Sequence, residues 1–200
     1  MTKPEAAKAF LEIAAQLRHE NLLTGTVKAA LRGEQNELFI AELDGKDITM
    51  QELAAENEQE PFLAAFAIKQ DAKALLLLSG TYAKQIANSM DSLTAELDDM
   101  AQIVGLTARV ARSLEKGELA RCLKNRNSCF VRGYGMLITG RSISEALTGA
   151  ILLEKAAMTH ILAGRIGGAK RVPLFSAALM HYIYQKKYSK INLTAEAESK

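Results

Sequence analysis

The sequence predicts an α/β domain, and three observations carry the prediction. Segments with apolar residues at helical spacing alternate along the chain with short strand-like runs. One of those runs, Ala74–Leu78, is apolar without interruption over strand length, the pattern of a strand covered on both faces. The chain has 200 residues, 48% of them hydrophobic and 24% charged, enough to bury one sizeable core. No internal repeat, low-complexity block or linker divides it, so residues 1–200 read as a single domain.

The elements follow in order. Thr2 and Glu5 form a capping box, Pro4 sits in the first turn, and Phe10, Ile13, Ala14 and Leu17 mark a helix that should end near Leu23–Gly25. Thr26–Arg32 and Glu37–Leu43 read as two strands around the turn Gly33-Glu34-Gln35-Asn36. After the turn Asp44-Gly45-Lys46-Asp47, Thr49 with Glu52 predicts a short helix by the same capping logic. Pro61–Gln70 is helical, Ala74–Leu78 a strand, Thr81–Met90 a helix, and about Thr94–Val104 a further helix stopped by Gly105. Leu106–Val110 reads as a short strand and Glu115–Lys124 as a helix. Ser128–Arg132 and Met136–Thr139 are strands joined through Gly133-Tyr134-Gly135. The longest helix starts at Ser142-Ile143-Ser144-Glu145 and runs to about Ala163. A glycine-rich basic loop, Gly164–Arg171, separates it from a last helix after Pro173, and Thr194–Lys200 reads as a frayed polar tail.

Composition excludes several classes of function. The net charge is +2, with acids and bases mixed along the chain, which is not the concentrated basic footprint of a nucleic-acid binder. No uninterrupted apolar run reaches the roughly 18 residues of a membrane span, and the charged amphipathic start does not resemble a secretory signal. Cys122 and Cys129 match neither a disulfide framework nor a zinc spacing, so they are expected to be reduced, packed thiols in a cytoplasmic protein.

The stretch from Leu123-Lys124-Asn125-Arg126-Asn127 to Ala163 carries the most information. It holds a helix end, a strand, a glycine turn, a strand, and then a helix with Glu145-Ala146-Leu147 and Leu153-Glu154-Lys155-Ala156. This resembles the carboxy-terminal half of the class II aldolase and adducin superfamily, and the order of the earlier elements can be laid on the same template. The resemblance implies a three-layer α/β/α domain around a mostly antiparallel central sheet. It also implies a four-fold homotetramer with active sites at subunit interfaces.

In the superfamily's enzymes a His-x-His pair at the end of the central strand and a later His before a glycine hold a zinc ion, which stabilises an enediolate. The matching positions here are Leu77-Leu78-Ser79-Gly80 and Arg132-Gly133-Tyr134-Gly135, so Tyr134 stands where the third imidazole would be. No histidine occurs between His19 and His160, and no metal or other cofactor is expected. The three histidines of the chain lie on separate helices, an arrangement more typical of surface or core residues than of a zinc site. Gly25-Thr26 retains part of a phosphate loop, but Val27-Lys28-Ala29-Ala30 follows it, and Glu42-Leu43-Asp44-Gly45 lacks the Thr-Gly anion loop.

The remaining candidates are few. The superfamily's catalytic glutamate falls near Glu58, where Glu56 and Glu60 also lie and a solvated charged loop is the competing reading. Glu154 shares a helical stripe with Leu147, Ile151, Met158 and Ile161; it is either an acid–base group or a structural acid satisfied by a neighbour. Arg165, Lys170 and Arg171 in the glycine-rich loop could meet an anion or simply complement the preceding helix end. Arg132 beside its glycine turn carries the same two readings. The expected function is a class II aldolase-like protein that has lost zinc-dependent chemistry and binds a small anionic ligand or a partner. The alternative is a metal-independent lyase or epimerase on a sugar phosphate or small carbonyl compound, with Tyr134, Glu58 and Glu154 as its acid–base groups.

Overall fold

The Ala74–Leu78 run lies in the interior of a sheet, as its unbroken apolar character predicts. The computed structural model describes residues 1–25, 27–33, 37–44, 48–53 and 61–198. Its strands are β1 Val27–Arg32, β2 Leu38–Leu43, β3 Ile48–Leu53, β4 Ala74–Leu78, β5 Ser92–Thr94, β6 Thr107–Ala111, β7 Ser128–Val131 and β8 Gly135–Gly140. Among the described residues they form one eight-stranded sheet in the order β3-β2-β1-β4-β8-β7-β6-β5. Only β6 and β7 pair in parallel; every other neighbour is antiparallel.

The helices are α1 Lys3–His19, α2 Pro61–Ile68, α3 Thr81–Ser89, α4 Lys116–Leu123, α5 Ile143–Gly164 and α6 Leu174–Glu198. Side chains alternate across a strand, so β4 divides the interior in two. Leu76 and Leu78 join a core with Phe10 and Leu17 of α1, Ile86 of α3 and Leu153 of α5. Leu75 and Leu77 join a second core with Phe62 of α2 and Leu119 and Cys122 of α4. Helices therefore cover both faces of a mostly antiparallel sheet, the three-layer arrangement that the resemblance implied. Phe10 and Phe62 anchor the two layers at 0% and 1% exposure. Each contributes about 1.5–3 kcal/mol relative to an exposed ring.

Three elements depart from the sequence prediction, the first two because tertiary pairing outcompetes a local signal and the third because of a local backbone turn. Residues 48–53 form β3, not the helix that Thr49 and Glu52 suggest: they pair with β2 from Ile48↔Leu43 to Leu53↔Leu38. Ile48 and Met50, two apart on one strand face, pack on the α1 side of the sheet. Where the expected helix Thr94–Val104 would start, an edge strand, Ser92–Thr94, ends instead, and the Ala95 N–H donates to the Leu106 carbonyl at 2.9 Å. That pairing leaves only a π-helical turn, Met100–Val104, closed by the Gly105 N–H on the Met100 carbonyl. α1 stops at His19, short of Leu23, because Asn21 adopts a left-handed φ of 57°. The N–H groups of Leu22 and Leu23 then fold back onto the Leu17 carbonyl. At the other end of the chain α6 continues to Glu198, through most of the stretch expected to fray.

By length and composition alone the 22 residues of α5 could cross a membrane, although Glu145, Glu154 and Lys155 interrupt its apolar run. Its placement is that of a core helix, packed on β8, α3 and β4. Ser142 caps its start by accepting the Glu145 N–H at 3.1 Å. The buried Glu145 carboxylate is held by Arg141 at 2.7 Å.

Candidate ligand-binding cleft

The strand end at Leu77-Leu78-Ser79 and the turn Gly133-Tyr134-Gly135 are brought together by the antiparallel pairing of β4 with β8, in which Leu78 faces Met136. The approach of the two backbones is so close that a Cβ on Gly135, whose φ is +136°, would collide with the carbonyl oxygens of Leu78 and Ser79. Only glycine meets both demands. A cleft of about 320 Å³ opens beside this contact. It is lined by Leu77, Leu78 and Ser79 at the end of β4, Gly133 and Tyr134 of the turn, Thr24, Gly25 and Lys28 around the start of β1, and Lys84 of α3.

Register explains the cation on the β1 side. Lys28 is the cross-strand partner of both Glu42 and Leu77, so the three share one face of the sheet. The Lys28 ammonium lies 2.9 Å from Glu42 at the edge of the cleft. The Tyr134 N–H donates to the Val131 carbonyl, closing the turn, and the side chain is 52% exposed, which puts the ring at the rim of the cleft.

α3, which supplies Lys84, is fixed at both ends. At its N-terminus the Glu154 carboxylate accepts the Tyr82 and Ala83 N–H groups, both at 2.8 Å, one on each oxygen. The anion satisfies two orphan donors and complements the positive end of the helix. At the C-terminal end the Arg132 guanidinium donates to the Ala87 and Met90 carbonyls, both at 3.4 Å, and stands 3.8 Å from Asp91. The Gly133 N–H donates to Asn88 Oδ1 at 3.1 Å, tying the turn to the same helix.

A fold and a cleft of this form invite comparison with known proteins. Residues 17–161 match the family model described as the class II aldolase and adducin N-terminal domain. The chain belongs to that family. Among solved structures, an L-fuculose 1-phosphate aldolase superposes with a TM-score of 0.76 at 17% identity, covering 92% of this chain and 98% of its own. YgbL from Klebsiella pneumoniae, described as a candidate aldolase/epimerase/decarboxylase, gives 0.77 at 16% identity, covering 88% and 98%. L-fuculose-1-phosphate aldolase from Thermus thermophilus gives 0.70 at 16% identity, covering 82% and 97%. At such identities these likenesses concern the fold. A search of curated protein sequences found no match.

The zinc of the family's enzymes does not fit the side chains of this class II aldolase-fold chain. Where the resemblance places imidazoles, Leu77 and Leu78 offer hydrocarbon and Ser79 and Tyr134 offer hydroxyls, not the nitrogen, thiolate or carboxylate donors that zinc takes. Among the described residues no group of three His, Cys, Asp or Glu stands close enough to share a metal ion. His160 Nδ1 lies 2.9 Å from Glu96, His181 Nδ1 lies 2.9 Å from the Gln102 carbonyl, and His19 is exposed beside Glu20. Leu77 and Leu78 are 6% and 2% exposed, drawn into the two cores, and the cleft beside them is open.

The other predicted site residues are dispersed. Glu58 lies outside the described residues. Glu154 is not part of the cleft lining, and both its oxygens are engaged by α3. Arg132 caps the same helix. In the basic loop, the Arg165, Ile166 and Gly168 N–H groups donate to the Leu162 and Ala163 carbonyls, so the described backbone there closes α5 and does not converge on an anion. Arg165, Lys170 and Arg171 are exposed around it. Burial pushes the thiols of Cys122 and Cys129 up, away from nucleophilic use. Sequence reasoning missed Thr24, Lys28 and Lys84 as cleft residues. Lys84 carried a readable signal: it lies one turn into the helix that follows the strand end.

Proposed function

We propose that this class II aldolase-fold chain, one domain over residues 1–200, has given up zinc-dependent aldol chemistry and uses the cleft at the end of β4 to bind a small anionic ligand. One observation carries the reading: hydrocarbon and hydroxyls stand at the positions matching the family's ligating histidines, while Lys28 and Lys84 remain at the rim of an open cleft. Two ammonium groups beside a partly enclosed space attract an anion, and the Thr24, Ser79 and Tyr134 hydroxyls can hydrogen-bond to it. Glu154 and Arg132 serve in this reading as the fixings of α3. The test is a coupled retro-aldol assay on several ketose and deoxy-sugar phosphates, with and without added zinc. No turnover above the enzyme-free rate is expected, and turnover lost on Tyr134→Phe would overturn the reading.

A second reading, a metal-independent lyase or epimerase on a sugar phosphate or small carbonyl compound, is favoured by the exposed phenol of Tyr134 on the same cleft as Lys84. Glu58 would be its proton carrier by resemblance. In either case we propose self-association, with the family's homotetramer as the model. Phe175, Leu179, Tyr182 and Ile183, at i, i+4, i+7 and i+8 of α6, are 47–81% exposed and present an apolar stripe that a copy of the chain would cover. The free, buried Cys122 and Cys129 support a reducing, cytoplasmic setting.

A further inference from the structure

We infer that a second anion site lies on the sheet face formed by β5 and β6, where Arg109 and Arg126 converge to take a tetrahedral oxyanion such as phosphate. None of its residues lines the cleft at the end of β4, so it does not depend on what that cleft binds. Register builds the face. Ser92 pairs with Arg109 and Thr94 with Thr107, which puts three hydroxyls and a guanidinium on one side of the two strands. The alternate residues Leu93, Ala108 and Val110 turn into the core on the other side. Ser92 is exposed, and Thr94, Thr107 and Arg109 are half-buried, so the polar face remains open to solvent.

Arg126 joins this face from the turn after α4. Its guanidinium donates to the Thr107 carbonyl at 2.6 Å, to Thr107 Oγ1 at 2.7 Å and to the Lys124 carbonyl at 2.9 Å. Arg109 donates to the Arg121 carbonyl at 2.8 Å. The Arg121 and Lys124 carbonyls end the same helix, roughly one turn or about 5 Å apart, so the two guanidinium groups are held as neighbours. Both are tied by neutral acceptors, and among the described residues neither makes an ion pair. The acids closest along the chain are engaged elsewhere: Glu118 by Arg121 and the Arg112 N–H, and Asp91 at 3.8 Å from Arg132. Burial, and after it the charge of Arg109, push the Arg126 guanidinium down from the ordinary arginine value. Two cations fixed side by side repel, and an anion that bridges them removes the repulsion and gains charge-assisted hydrogen bonds. Arg126 uses three N–H donors on the protein and Arg109 one, so both keep others for a ligand. The Thr107 hydroxyl accepts from Arg126 and keeps its own proton to donate, with Ser92 and Thr94 beside it. Donors from two guanidinium planes and a strand face suit the spread oxygens of a tetrahedral ion.

The experiment is an NMR titration of the isotope-labelled full chain with inorganic phosphate, sulfate and malonate, at mildly alkaline pH and constant ionic strength. Phosphate and sulfate should give saturable amide shifts at Ser92, Thr107 and Arg109, and both should bind there more tightly than malonate, a dicarboxylate of similar charge. The same shifts should persist in Lys84→Met, which removes a cation of the cleft and none of this face. Arg109→Gln should weaken phosphate at these residues at least about tenfold, the loss of one hydrogen bond from a charged donor. Ser92→Ala should weaken it about threefold, the loss of a neutral one. If Arg109→Gln does not fold, Ser92→Ala at its exposed position carries the test. Shifts confined to the cleft, shifts that Lys84→Met abolishes, or unchanged affinity in the folded variants overturn the inference. Malonate bound as tightly as phosphate overturns the assignment to a tetrahedral ion.

Discussion

Gly80, Gly135 and Glu154 show how single residues hold the cleft in shape. Glu154 lies on an apolar stripe of α5, and a carboxylate there must be satisfied. The structure satisfies it with two backbone N–H groups of α3, and Gly80 leaves room for the contact, since a Cβ there would strike the carboxylate. Glu154→Ala should therefore destabilise the chain by about 1–3 kcal/mol, because two amide donors lose their acceptor. Glu154→Gln, which keeps one oxygen, should cost less; urea denaturation of the three proteins checks the order. An exposed-type response, with Glu154→Ala indistinguishable from the parent, would contradict the helix-capping role. Gly135→Ala should cost at least about 1–3 kcal/mol from its positive φ alone. It should also loosen the cleft by pushing Ser79 away, which a lower melting temperature together with weakened anion binding would reveal. Tyr134→Phe, at an exposed rim position, should leave stability within about 0.5 kcal/mol.

At the scale of elements, α4 offers a pH signature. Glu118 accepts from Arg121 on the same helix and from the Arg112 N–H. The Arg121 hydrogen bonds first, and the Arg112 amide second, hold its carboxyl well below the ordinary 4.5, at about 2. A carboxyl depressed in the folded state stabilises fully above its unfolded pKa and loses that contribution as pH falls through the folded value. The part of acid unfolding between about pH 4.5 and 2 that belongs to this group should vanish in Glu118→Gln, measured by circular dichroism. The effect should be small, because the pair is solvent-screened. Elements also mark the limit of local signals. Helix starts at Thr2 and Ser142 were legible because capping is settled within four residues. β3 and β5 were not, because their hydrogen-bond partners lie in other segments of the chain, β2 and β6.

At the scale of the whole molecule, α6 buries Ala177 and Tyr184 on one side and exposes Phe175, Leu179 and Tyr182 on another. Such a helix, apolar on two sides, should not remain solvated. Light scattering at micromolar concentration should give a mass above 21.8 kDa, with four chains the expected number. Phe175→Glu combined with Tyr182→Glu should shift the mass toward one chain while the circular dichroism spectrum keeps its helical form. A parent mass of one chain would remove the assembly proposal without touching the fold.

The sequence by itself determined the α/β class, most helix and strand positions and the absence of any histidine between His19 and His160, because periodicity, caps and composition are local or countable. It also made the family legible, through the order of elements and the segment from Leu123 to Ala163. Only the tertiary structure decided that Glu154 and Arg132 brace opposite ends of α3, and that Lys28 and Lys84 meet at one cleft with Tyr134 on its rim. These residues come from β1, α3, α5 and the β7–β8 turn. Their meeting is fixed by sheet register and helix placement, which depend on contacts between segments far apart in the chain. Leu77 and Leu78 illustrate the difference: their identity was plain in the sequence, but alternation across β4 draws them into two separate cores, and the cleft stays open.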